Sequence, residues 1–131
     1  MIAREENDCP LVLIVEDDDF LRFASSHELA ESGFRTLVAR TADEAVAILN
    51  EFEAIDALFT DISMPGSMNG VALAHHVRET QPGACVLITS GDKPPPDPAM
   101  PENSHFIPKP YTLPDVAAMI RELVEDGDEE S

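Results

Sequence analysis

The feature that most constrains this chain is an apolar run that ends on a charge, Ala57-Leu58-Phe59-Thr60-Asp61, followed closely by Pro65, Gly66, Asn69 and Gly70. Ala57 to Phe59 offers apolar side chains to both faces of a strand, as a central strand of a parallel sheet must, and the Pro and Gly residues place a loop directly after it. Asp61 therefore stands at the carboxyl end of a buried strand. In open α/β sheets ligands collect outside the carboxyl ends of the strands, near the point where strand order reverses. Asp61 reads as a metal ligand, a nucleophile or both, against the plainer reading of a residue that ends a strand and starts a turn.

The same grammar opens the chain. Leu11 to Val15 is a continuous apolar run that ends in Glu16-Asp17-Asp18-Asp19. Crowded like charges raise the free energy of an empty site and a hard cation offsets the repulsion; Mg2+ asks for one or two carboxylates, other oxygen ligands and several waters. Glu16 and Asp17, at the strand end, are the metal candidates, whereas Asp18 and Asp19 suit a helix N-terminus, whose dipole favours them. A helix over 20–32 carries Leu21, Ala24 and Leu29 on one face and closes at Gly33. A short strand over 36–39 follows. Thr41-Ala42-Asp43-Glu44 is a capping box, and Ala45, Ile48, Leu49 and Phe52 then recur at helical spacing.

Beyond Asp61, Asn69-Gly70 starts a third helix with Leu73 and Val77 inward. Cys85 to Thr89 makes a fourth strand ending in Ser90-Gly91-Asp92, and His105 to Ile107 a fifth, closed by Pro108-Lys109-Pro110-Tyr111. Lys109, between two prolines, has its geometry fixed, and Lys109-Pro110 is a candidate cis bond. Thr112 to Asp115 caps a last helix with Val116, Met119, Ile120 and Leu123 buried. From 92 to 104 the prolines at 94, 95, 96, 98 and 101 leave little room for a helix. An extended connection is expected there, long enough for a crossover.

The 131 residues fit one domain, with 1–9 a loose lead-in, 10–125 the folded unit and 126–131 an acidic tail expected to be disordered. Acidic residues outnumber basic ones 26 to 8, for a formal charge of -18. Such a surface repels nucleic acid and anionic membranes, so neither is an expected partner. No stretch approaches the roughly 18 apolar residues of a membrane span and no export signal opens the chain, which places it in the cytoplasm. There Cys9 and Cys85 are expected to remain thiols. His75 and His76 project about 100° apart on a helix and do not chelate one ion together; His27 and His105 lack ligand-spaced neighbours.

Five strands alternating with helical stretches imply a parallel sheet covered on both faces. The strand-end residues Glu16, Asp17, Asp61, Ser90 and Lys109 then converge. Acids for a metal, a carboxylate nucleophile, a hydroxyl and a cation make a small phosphoryl-transfer site, in which Asp61 attacks phosphorus to give an aspartyl phosphate. No Gly-rich phosphate loop ending in Lys-Ser or Lys-Thr is present, so a nucleotide is not the expected donor.

These motifs, in this order, resemble the receiver domain of two-component response regulators, from Leu11 to Val124. The resemblance implies a flavodoxin-like fold with strand order 2-1-3-4-5, the order of the chemotaxis regulator of that family. It implies Mg2+ as cofactor, held by Asp17, Asp61 and the Ser63 backbone carbonyl, with Glu16 acting mainly through water. Asp61 matches the phosphoacceptor, charged by a histidine kinase or phosphotransfer protein, and Lys109 the lysine that contacts the phosphoryl group. Ser90 matches the switch hydroxyl, with Thr89 the alternative one residue away, and Phe106 the aromatic switch position.

Two departures stand out. The loop after Asp61 carries one residue more than the commonest form, and the 92–104 segment largely replaces the fourth helix, part of the surface that commonly reports phosphorylation. A rearrangement of that segment, linked to Ser90 and Phe106, is the expected signal. With no second domain expected after the last helix, output runs through an unknown downstream protein, or the protein is a phosphoryl shuttle or sink. A receiver assists its own phosphorylation and dephosphorylation without being an enzyme by class. Two other readings are a receiver-like interaction module that is not phosphorylated, and a hydrolase of the haloacid dehalogenase type, which needs a second Asp where Ser63 stands.

Overall fold

Elements follow the apolar rhythm in the order β1 (Leu11–Val15), α1 (Asp19–Glu31), β2 (Arg35–Ala39), α2 (Ala42–Glu51), β3 (Ala57–Asp61), α3 (Gly70–Thr80), β4 (Cys85–Ser90), β5 (Ser104–Pro108) and α4 (Leu113–Glu130). This computed structural model describes residues 9–51, 54–62, 69–90, 101 and 104–130, with the side chains of 126–130 left aside. The strands form one five-stranded parallel sheet in the order β2-β1-β3-β4-β5. β1 and β3 are buried at every position, whereas β2 and β5, at the edges, are partly exposed. The two-sided apolar runs thus occupy the places where both faces are covered.

Alternation along the strands divides the interior into two cores. Leu13, Val15, Leu58, Val86 and Ile88 pack against Ala45 and Leu49 of α2 and Leu73 and Val77 of α3. On the opposite face Val12, Ile14, Phe59 and Leu87 pack against Leu29 of α1 and Val116, Ile120 and Val124 of α4. Each fully buried branched side chain contributes about 1.5–3 kcal/mol relative to exposure.

The helix starts are fixed by side chains that accept orphan amides. Asp18 accepts from Leu21 N at 2.8 Å, Asn69 from Ala72 N at 2.9 Å and Thr112 from Asp115 N at 3.2 Å. Thr41 accepts from Glu44 N at 3.1 Å, and Glu44 reaches back to Arg40 N at 2.7 Å, one residue before the cap amide. Gly33, at φ 97°, follows α1 as its C-terminal glycine.

Three expectations need correction. The first helix begins and ends one residue earlier than 20–32. In α4 the fully buried positions are Val116, Ala117, Ile120 and Val124, while Met119 and Leu123 are half-buried, because α4 packs on α1 as well as on the sheet and its apolar stripe is turned toward both. The tail expected to be disordered from 126 is helical through Glu130. Once the packed face has nucleated α4, each added residue gains a backbone hydrogen bond, which carries the helix past the weak helix formers Asp126, Gly127 and Asp128. The expectations for Phe52, Ser63, the longer loop after Asp61 and most of the proline-rich segment fall outside the described residues.

Gly70 couples α3 to the end of β3. Its N–H donates to Ile62 O at 2.9 Å, and a Cβ built there would lie 2.1 Å from Asp61 O and 2.8 Å from Ile62 Cα. Both obstacles are backbone, so Gly70→Ala is expected to cost at least about 1–3 kcal/mol of overpacking, read as a lowered midpoint in urea unfolding; an unchanged midpoint would mean that α3 is not seated on β3 in this way.

Candidate functional site

The parallel register gathers the strand ends. Val15 pairs with Thr60, so Glu16 follows beside Asp61; Asp61 pairs with Thr89, and Thr89 with Ile107. Paired residues in a parallel sheet share a face, and successive residues alternate. Asp61, Thr89 and Ile107 therefore face the α1/α4 side, whereas Ser90 and Phe106 face the α2/α3 side, where Phe106 packs on the core.

At the centre, Asp61 is 7% exposed and its Oδ2 accepts a hydrogen bond from Lys109 Nζ at 2.7 Å. The backbone places that lysine: Lys109 N donates to Ser90 O at 3.1 Å, and Lys109-Pro110 is cis, as expected from its setting between prolines. Burial alone would lower the Lys109 pKa, but the hydrogen bond to Asp61 and the charges of Asp61, Glu16 and Asp17 outweigh it and hold the ammonium above its ordinary value.

Glu16 is as buried as Asp61, and its Oε2 accepts from Asp18 N at 2.9 Å. Burial, the neighbouring Asp17 and the charge of Asp61 raise its carboxyl above the usual range, against the lowering effects of the Asp18 amide and Lys109. Asp17 is exposed beside it.

Two further residues complete the site, and neither was singled out from sequence. The Tyr111 ring meets Phe59 edge-on at 5.9 Å, and its phenol is pushed up to about 12 by burial and by the charges of Glu16 and Asp61. Arg22 Nη1 donates to Glu16 O at 3.0 Å while its other end pairs with Asp19. The available signals were a polar-tipped aromatic directly after Lys-Pro and a basic residue one helical turn beyond the acidic run. A cleft of about 480 Å³ lined by Leu21, Lys109, Pro110 and Tyr111 lies on this side of the sheet.

The geometry thus joins Asp61 to Lys109 directly, brings Glu16 within electrostatic reach of both and Asp17 within reach of Lys109 and Glu16, and ties Ser90 in through the Lys109 amide. Ser63 lies outside the described residues. Among the described residues no three His, Cys, Asp or Glu side chains gather into a ligand set by themselves. An ion bound here would take much of its shell from water and backbone oxygen, as Mg2+ does, and the all-oxygen donors and the like charges gathered around buried Glu16 fit such an ion. Among the described residues no helix is long and apolar enough to cross a membrane, Cys9 and Cys85 are not joined in a disulfide, and Cys85 Sγ donates to Asp56 O at 3.3 Å.

Comparison with known proteins agrees with this geometry. The family model for the response regulator receiver domain matches residues 12–121. The sensor kinase CckA of Brucella abortus is 30% identical over 124 residues, covering 89% of this chain and 13% of that protein. A cyclic di-GMP phosphodiesterase of Thermotoga maritima is 33% identical over 79 residues, or 60% of this chain and 20% of that one. The chain therefore spans a fifth or less of these relatives' lengths. Among solved structures, a response regulator receiver protein of Sinorhizobium medicae superposes with a TM-score of 0.86 at 21% identity, over 92% of this chain and 98% of that one.

The raised Glu16 carboxyl has a consequence for stability. A group that holds its proton more tightly when folded supports the fold below its unfolded pKa and loses that contribution as pH rises through the folded value. Metal-free protein is expected to lose stability as pH climbs past the ordinary 4.5 of this group, and Glu16→Gln to lose less over the same interval. Mg2+ at a hundredfold excess over its Kd should restore about 2.7 kcal/mol to the wild type. Chemical unfolding against pH, with EDTA or Mg2+, measures both; identical pH profiles for variant and wild type would contradict the assignment.

Proposed function

Since this chain belongs to the response regulator receiver domain family, we propose that Asp61 accepts a phosphoryl group from a phosphohistidine donor and that the phosphorylated domain signals through contacts with a protein partner. The observation that carries this reading is the 2.7 Å pair between Lys109 Nζ and Asp61 Oδ2, set beside Glu16 at the carboxyl ends of β1, β3 and β5.

Asp61 is the nucleophile. One carboxylate oxygen forms a bond to phosphorus while the bond from phosphorus to the donor imidazole nitrogen breaks, its electron pair staying on the nitrogen. Lys109 follows the negative charge from the carboxylate onto the phosphoryl oxygens, and the flanking prolines restrict the backbone from which it reaches. Asp17 and Asp61, with Glu16 through water, would hold Mg2+, which when bound supplies the positive charge that phosphoryl transfer demands. Ser90 offers its hydroxyl from the neighbouring strand end. Its place on the same face as Phe106 supports a readout that runs from the phosphoryl group toward the α2/α3 side. Family membership removes the dehalogenase-type reading, and no feature of the site favours an unphosphorylated interaction module over a working acceptor.

The donor's landing surface is proposed to be the start of α1. Phe20 and Phe23 are 78% and 72% exposed there, directly after the acidic turn, and Phe23 stacks on His27 at 6.3 Å. Exposed aromatic side chains beside a reaction site are suited to become buried anchors in a complex.

Intact mass after incubation with acetyl phosphate and Mg2+ tests the chemistry: wild type should gain one phosphoryl group, Asp61→Asn and metal-chelated protein none. An adduct that survives Asp61→Asn would overturn the assignment. The double change Phe20→Ala with Phe23→Ala should slow transfer from a phosphorylated kinase by on the order of tenfold or more and leave labelling by acetyl phosphate unchanged; an equal loss with both donors would place these residues in the chemistry or the fold rather than in docking.

A further inference from the structure

We propose that Thr89 is a positioning residue for the phosphoacceptor, its hydroxyl taking hold of the Asp61 side chain when Lys109 leaves it for the phosphoryl group. The inference rests on the phosphoacceptor reading of Asp61 and deepens it. It differs from the switch role, in which a hydroxyl turns to the phosphoryl oxygens and for which Ser90 is placed.

Thr89 is 1% exposed, and its Oγ1 has no hydrogen-bond partner among the described residues. The position is otherwise apolar: Leu87, two residues back on the same face, belongs to the core under α1 and α4, and Ile107 flanks Thr89 across β5. Valine would fill the same shape without burying an unpaired hydroxyl, which is destabilising. On its other side, in direct register, stands Asp61. The nearest polar side chain in the row is thus the one that changes chemically.

In the resting state Lys109 occupies Asp61 Oδ2. Phosphorylation moves negative charge onto the phosphoryl oxygens and the ammonium moves with it, so Asp61 loses that hydrogen bond. The oxygen–phosphorus bond forms as the phosphorus–nitrogen bond to the donor breaks, with the electron pair left on the donor. Asp61 enters as a carboxylate and no proton is released. Thr89 keeps its proton and, by a turn about χ1, donates to the Asp61 side chain beside it in register. A group unpaired in one state and paired in the other shifts the equilibrium toward the second by its differential interaction. Thr89 therefore favours the phosphorylated state at the expense of resting-state stability.

The test uses the full chain as wild type, Thr89→Val and Thr89→Ser, with two readouts. Thermal unfolding without Mg2+ or phosphoryl analogue should show Thr89→Val melting above wild type. Titration with beryllofluoride in Mg2+, followed by amide spectra, should show Thr89→Val binding roughly tenfold more weakly, with Thr89→Ser close to wild type in both measurements. Equal beryllofluoride affinity in wild type and Thr89→Val, or a serine variant that behaves like the valine one, overturns this inference alone. A wild type that binds no beryllofluoride overturns the phosphoacceptor reading, and the inference with it.

Discussion

The central strand β3 must be apolar on both faces to lie inside the sheet, yet it ends on a carboxylate, and the site is built to resolve that conflict. Burial of Ala57, Leu58 and Phe59 by the two cores carries Asp61 to the edge of the interior, where it is 7% exposed. Gly70, packed against the Asp61 backbone, brings α3 in without room for a side chain. A carboxylate so placed needs a counter-charge, and Lys109, set at the end of β5 by its amide bond to Ser90, delivers it at 2.7 Å. The ion pair is partly buried and asymmetric, since Glu16 and Asp17 add negative charge that one ammonium does not neutralise. A site short of positive charge in its resting state is suited to acquire a divalent cation and, with it, a phosphoryl group.

Under the proposed function, strand alternation places the chemistry on one face of the sheet and the response on the other. Asp61 and Thr89 face α1 and α4, on the side where the cleft beside Lys109 and Tyr111 opens and where Phe20 and Phe23 stand exposed. Ser90 and Phe106 face α2 and α3. One strand end thus carries a hydroxyl on each face in consecutive residues, so an event at Asp61 has a short path through β4 to the far side of the sheet. Tyr111, whose phenol is held protonated by burial and by the charges of Glu16 and Asp61, lines the cleft beside Lys109 without adding charge to it.

Much of this was legible in the residues. Two-sided apolar runs identified the strands, because only inner strands of a parallel sheet bury both faces, and helix caps such as Thr41 with Glu44 and Asn69 located the helix starts because those side chains satisfy amides that the helix cannot. Glu16, Asp17, Asp61, Ser90 and Lys109 were readable as a set because each follows an apolar run. Other features depend on register or on long-range packing, which no local pattern encodes. Which of Thr89 and Ser90 faces Asp61 follows from pairing between β3 and β4. The Arg22 contact with the Glu16 carbonyl, the Leu11 amide held by Asp56 at 2.8 Å and the place of Tyr111 against Phe59 are tertiary. The helical backbone past residue 125 escaped a composition argument because acidic residues with no apolar neighbours disfavour a core, yet permit a helix already nucleated by one.

The central claim is that chemistry occurs at one oxygen of one residue, and chemical trapping of that bond tests it most directly. An acyl phosphate is reduced by borohydride to an alcohol, which would convert Asp61 to homoserine in protein first treated with acetyl phosphate and Mg2+. Peptide mapping by mass should then find homoserine at position 61 and at no other acidic residue, and only in the phosphorylated, metal-loaded sample. Homoserine at Asp17 or Asp18, or a phosphoryl group retained on a histidine or hydroxyl, would contradict the account.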